Sequence, residues 1–145
     1  MSDYTLTFDG GASNNGRAEA GYSGRSYGSY QLKTAGGKSQ VVRLEFEDGT
    51  TNNESEYRAL VAGLLDLVGR ISESPYKPSQ FTLKVVGDSQ LVLYQVNTRN
   101  DQPQWRCKEE HLRVHRDKAR ELLAGFNTWK VEWVPREYIV GVLGH

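Results

Sequence analysis

The chain has 145 residues with eighteen basic and eighteen acidic side chains, so no net charge advertises a nucleic-acid or membrane partner. Its 37% apolar, 25% charged and 10% aromatic content is that of an ordinary soluble domain. No window approaches the ~18 uninterrupted apolar residues of a membrane span, and no apolar signal region follows Met1. The single Cys107 rules out an internal disulfide and agrees with a reducing compartment. We therefore expect one domain over residues 1–145, a cytoplasmic monomer with no membrane attachment.

Tyr4 to Phe8 is apolar, aromatic or β-branched and reads as a short buried strand that stops at Asp9-Gly10-Gly11. Ala20 to Tyr27 and Val41 to Phe46 read as two further strands on short links, which suggests an antiparallel meander. Thr50 to Asn53 then offers helix caps, and Glu56 follows in the expected first turn. Tyr57, Leu60, Val61, Leu64, Val68 and Ile71 recur at helical spacing until Ser72-Glu-Ser-Pro75 ends the pattern.

Gln80 to Val86 is the next predicted strand, and it also stops at a carboxylate, in Gly87-Asp88-Ser89-Gln90. Leu91 to Val96 reads as a short helix, and Asn97 to Gln104, with Pro103, as a surface loop. A helix follows with Leu112, His115, Ala119, Leu122, Leu123 and Phe126 on one face, which assigns His115 to packing and leaves His111 exposed. Thr128 to Val134 alternates as a last strand. Ile139 to Gly144 holds two glycines and no polar face, a poor composition for a helix. Basic residues exceed acidic ones between Arg99 and Arg120, which suits either phosphate contact or a solvated helix face.

Three strands followed by helix, strand, helix and strand give an α/β pattern with a mixed sheet. A right-handed crossover sets the fourth strand beside the first, so Asp9 and Asp88 end adjacent parallel strands at one edge. Glu56 can turn toward the same edge from its helix. Three carboxylates converging without cations repel one another, and such a cluster makes sense when hard divalent cations such as Mg²⁺ or Mn²⁺ occupy it. Each acid alone has a plainer reading: Asp-Gly is a common turn, and Glu56 suits a solvated helix start.

Four segments, in this order, resemble ribonuclease HI of the ribonuclease H-like superfamily: Asp9-Gly-Gly-Ala-Ser-Asn-Asn15-Gly16, Thr51-Asn-Asn53-Glu-Ser-Glu56-Tyr-Arg-Ala-Leu60, Gly87-Asp88-Ser-Gln90-Leu-Val and Trp133-Val-Pro-Arg136-Glu-Tyr138. The resemblance implies an α/β ribonuclease H-like fold with a five-stranded mixed sheet flanked by helices. It implies hydrolysis of the RNA strand of RNA–DNA hybrids to 5′-phosphate and 3′-hydroxyl products. Asp9, Glu56 and Asp88 match the family's metal-binding catalytic carboxylates, and Arg136 matches a residue near the scissile phosphate. Gly10, Gly11, Asn15, Asn53 and Gln90 match positions that touch the hybrid in its minor groove, where 2′-hydroxyls distinguish RNA from DNA. The amides are equally suited to turns and caps, and Arg136 to a surface pair with Glu137.

The resemblance breaks after Tyr138. Ile139 stands where the family carries Asn, and Leu143 where it carries a fourth carboxylate. The family uses two ions, and the second shares Asp9 with that fourth acid, so this departure puts the second site in doubt. An altered chain end, a weakened enzyme, and substitution of the ligand by His145 are all open. The alternative function is a module that binds hybrid or duplex without cutting it.

Overall fold

The computed structural model describes residues 2–12, 26–47, 49–99, 102–103 and 105–144. Its elements run β1 (Tyr4–Ala12), β2 (Ser26–Thr34), β3 (Ser39–Phe46), α1 (Asn52–Ser72), β4 (Thr82–Gly87), α2 (Gln90–Val96), β5 (Thr98–Arg99), β6 (Gln102–Pro103), α3 (Glu110–Ala124), β7 (Thr128–Trp133) and α4 (Arg136–Leu143). Five strands form one sheet in the order β3-β2-β1-β4-β7. β1, β2 and β3 pair antiparallel, whereas β1–β4 and β4–β7 are parallel. The expected mixed sheet with its meander is therefore present.

β1 is the central strand and is covered on both faces. Leu6 and Phe8 point into one core, while Thr7 and Asp9 are buried on the other side. α1 starts at Thr51, whose side chain accepts the Glu54 N–H at 3.2 Å. Tyr57, Leu60, Leu64, Leu67 and Ile71 line its buried stripe against Leu6, Phe8, Leu83 and Val85. α3 adds Leu112, Ala119 and Leu123 to the same core. A smaller cluster of Val86, Val134, Ile139 and Leu143 covers the reverse face of the sheet, because Val85 and Val86 point in opposite directions from β4.

Several expectations need correction. β1 does not stop at Phe8: Asp9, Gly10 and Gly11 continue the ladder opposite Ser29, Gly28 and Tyr27. The second strand is Ser26–Thr34, and most of the expected Ala20–Tyr27 strand lies outside the described residues. Its Gly28 leaves room for the Phe46 ring and the Ala59 methyl, so the packing comes from its neighbours. The Asn97–Gln104 connector holds the small antiparallel β5–β6 ribbon.

The chain's last segment is also helical. α4 forms although its local propensity is poor, because Ile139 and Leu143, one turn apart, are both buried against Val86 and Val134. Gly144 ends it in the left-handed conformation, φ 84°, with its N–H bonded to the Val140 carbonyl at 2.8 Å.

Candidate functional site

The last β1–β4 pair is Thr7 with Val86. Two residues further on each strand lie Asp9 and Asp88, so the parallel register alone sets these acids side by side. Asp9 is fully buried, whereas Asp88, just past the end of β4, keeps 14% of its side chain exposed. Glu56 is the fifth residue of α1, one position beyond the first turn that had been expected for it, and is 8% exposed.

Glu56 reaches the acids because α1 lies directly on β1. A Cβ on Gly10 would fall 2.5 Å from both the Glu56 nitrogen and the Ser55 carbonyl oxygen, so only glycine admits the helix backbone there. The Gly10 amide donates to the Glu56 carboxylate. Asn52, at the helix start, accepts the Ala12 N–H at 2.6 Å and fixes the same junction from its other side. One carboxylate oxygen from each of Asp9, Glu56 and Asp88 lies within 4.8 Å of the other two.

Electrostatics follow from this crowding. Burial, then the charges of Asp9 and Asp88, hold the Glu56 carboxyl well above its ordinary range. Burial and Asp9 also raise Asp88, against the opposing pull of Arg136. Arg136 comes from the start of α4: its Nη1 lies 2.7 Å from Asp9 Oδ2 and 3.4 Å from Asp88 Oδ2. Burial alone would lower the guanidinium's pKa, but the bonds to Asp9 and then Asp88 reverse that and raise it.

Three carboxylates against one guanidinium leave two formal negative charges, and Glu56 Oε2 is buried with no hydrogen-bond partner among the described residues. That donor set fits a hard divalent cation: all oxygen, anionic and incompletely satisfied.

Glu56 and Asp88 open onto a cleft of about 580 Å³ lined also by Gly10, Gly11, Asn53 and Arg136, with Asp9 buried behind it. Asn53 and the two glycines lie along the same cleft as Glu56 and Asp88. Gln90 is exposed at the first position of α2 and is not part of the lining. Asn15 and His145 lie outside the described residues. The basic run makes no described contribution: Arg113 donates to the Cys107 and Lys108 carbonyls, and Arg116 pairs with Asp117. His111 is exposed as expected, while half-buried His115 sits 3.8 Å from Glu54 rather than in the core.

Tyr27, Asn52 and Ser89 also line the cleft and had not been singled out. Gly11 leaves room for the Tyr27 hydroxyl, and Ser89 caps α2 by accepting the Val92 N–H at 3.2 Å. Asn52 could have been found as the neighbour of Asn53; Tyr27 carries no local signal. A second groove of about 580 Å³, at the opposite end of β1 around Tyr4, Leu67 and Phe81, has no acidic residue in its lining. Its charged lining is basic, from Lys33, Lys38 and Arg70.

This fold and this edge define a class of α/β domain with a carboxylate centre where two parallel strands end. No family model matches the sequence. Ribonuclease HI of Halobacterium salinarum is 37% identical over 86 residues, which cover 59% of this chain and 37% of that protein. The N-terminal RNase H domain of Rv2228c from Mycobacterium tuberculosis superposes with a TM-score of 0.76 at 26% identity, covering 97% of this chain and 94% of that one. LC11-RNase H1, solved in complex with an RNA/DNA hybrid, superposes with a TM-score of 0.73 at 21% identity, covering 95% and 89%. The chain thus has the ribonuclease H-like fold and is similar in sequence to ribonuclease H proteins.

Proposed function

We propose that this protein is a divalent-metal-dependent endonuclease that hydrolyses the RNA strand of RNA–DNA hybrids. One observation carries the reading: Asp9, Glu56 and Asp88 meet within 4.8 Å at the sheet edge, with a buried Glu56 oxygen that has no hydrogen-bond partner among the described residues. Mg²⁺ or Mn²⁺ held there would supply Lewis acidity at the scissile phosphate and lower the pKa of a bound water. In the reaction, water oxygen bonds to phosphorus, the bond to the 3′ oxygen breaks, and that oxygen takes up a proton. The products are a 3′-hydroxyl and a 5′-phosphate.

Asp9, Glu56 and Asp88 hold the cation in this reading. Arg136, half-exposed at the cleft, braces the phosphate side. Asn53 and the backbone of Gly10 and Gly11 face the hybrid's minor groove, with Gln90 and Asn15 expected to extend that contact. The hybrid bound by LC11-RNase H1 supports the same class of substrate here. We take the chain to act as a monomer in the cytoplasm, which agrees with its free, buried Cys107. Among the described residues no helix is long and apolar enough to cross a membrane.

A labelled RNA–DNA hybrid titrated with Mg²⁺ or Mn²⁺ tests the proposal: RNA-strand cleavage that depends on the ion and spares the DNA strand is expected. Binding with no product at any ion concentration overturns it in favour of a hybrid-binding module that does not cut. The buried, apolar Leu143 is the observation on that side, because it offers no ligand where a fourth carboxylate was sought.

A further inference from the structure

We infer that this site is built for one divalent cation, with the Arg136 guanidinium supplying at Asp9 the positive charge that a second ion would bring. The inference rests on the nuclease reading above and concerns how that site is completed. Asp9 is the acid a second ion would have to share, and its Oδ2 is taken by Arg136 Nη1 at 2.7 Å.

Among the described residues no second set of ligands stands nearby. On the face of α4 that carries Arg136, the next residues inward are Ile139 and Leu143, 0% and 1% exposed and packed on Val86 and Val134. The Leu143 carbonyl accepts the Arg43 Nη2 hydrogen at 2.9 Å. That bond ties the end of α4 to β3 and keeps the Leu143 side chain in its apolar pocket. Among the described residues no further acid, imidazole or thiol joins Asp9, Glu56 and Asp88.

Charge decides the stoichiometry. The two negative charges left by three carboxylates and one guanidinium are neutralised by a single divalent ion. A second ion would leave an excess of two positive charges around the fully buried Asp9, where unbalanced charge is costly. Besides bracing the phosphate, Arg136 therefore acts as a positioning residue for Asp9. It holds one carboxylate oxygen away from the ion and fixes the orientation of the other.

The test counts ions as well as product. The full chain is titrated with Mn²⁺, free ion is followed by its paramagnetic resonance signal, and hybrid cleavage is measured in parallel. One ion per chain is expected. Arg136→Gln should still bind one ion, about tenfold more tightly because a neighbouring like charge is gone. Its kcat should fall with KM little changed, and Arg136→Lys should recover part of the loss. Far-ultraviolet circular dichroism checks that each variant folds.

Two ions bound per wild-type chain, or an unchanged affinity in Arg136→Gln, would overturn the inference and leave the nuclease reading in place. No bound ion together with no cleavage removes both.

Discussion

Gly10 and Ser55 touch through their backbones: a Cβ on Gly10 would lie 2.5 Å from the Ser55 carbonyl oxygen. Strand and helix meet there with no side chain between them, and the position of Glu56 depends on it. Gly10→Ala should push α1 off β1 and cost about 1–3 kcal/mol of stability as overpacking. It should also weaken Mn²⁺ binding. Denaturant unfolding and an ion titration on the same sample check the two effects together.

Asp88 has the opposite character, since it follows the end of β4 and carries no core packing of its own. Asp88→Asn should lower hybrid cleavage by at least about a hundredfold, because a positioned metal ligand contributes several kcal/mol to the transition state. Hybrid affinity should be unchanged or higher, as one negative charge facing the phosphates is removed. Single-turnover cleavage and a binding isotherm in Ca²⁺ separate these outcomes.

The raised carboxyls of Glu56 and Asp88 predict a definite pH dependence. The folded chain holds these protons more tightly than the unfolded one. The resulting stability is complete below the ordinary carboxylate range, near 4.5 for Glu56, and is lost as pH rises through the elevated folded values. Without metal, the stability that these two acids contribute should therefore fall from about pH 4.5 upward. Added Mg²⁺ or Mn²⁺ should cancel the loss, since the ions bind the deprotonated acids. Glu56→Gln should flatten the metal-free profile; melting curves across pH, with and without ion, decide it.

Away from the site, the Tyr57 hydroxyl donates to Gln95 Oε1 at 2.5 Å inside the core and links α1 to α2. Tyr57→Phe leaves a buried acceptor unsatisfied and should cost about 1–3 kcal/mol. The urea midpoint should fall with the slope of the transition unchanged, because no additional surface is exposed.

What could be read from the sequence divides along physical lines. The α1 stripe was legible because burial on one face imposes a spacing of three and four on Tyr57, Leu60 and Leu64. The meeting of Asp9, Glu56 and Asp88 followed from connection handedness, and the parallel register of Thr7 with Val86 accounts for it. β2 was misplaced because Gly28 and Ser29 break its apolar pattern, and the packing over Gly28 belongs to Phe46 and Ala59. α4 was judged a poor helix from its glycines; burial of Ile139 and Leu143 overrides that local preference. The pairing of Arg136 with Asp9 spans 127 positions, and no local pattern encodes it.

Trp133 stands 42% exposed at the end of β7, with its indole N–H held by the Asp88 carbonyl at 3.0 Å. The chain thus carries an intrinsic optical probe wired to the backbone of one of its acids. Ion uptake or hybrid docking that shifts Asp88 must perturb that indole. Occupancy can then be followed by fluorescence in unlabelled protein, once Trp105 and Trp129 have been replaced.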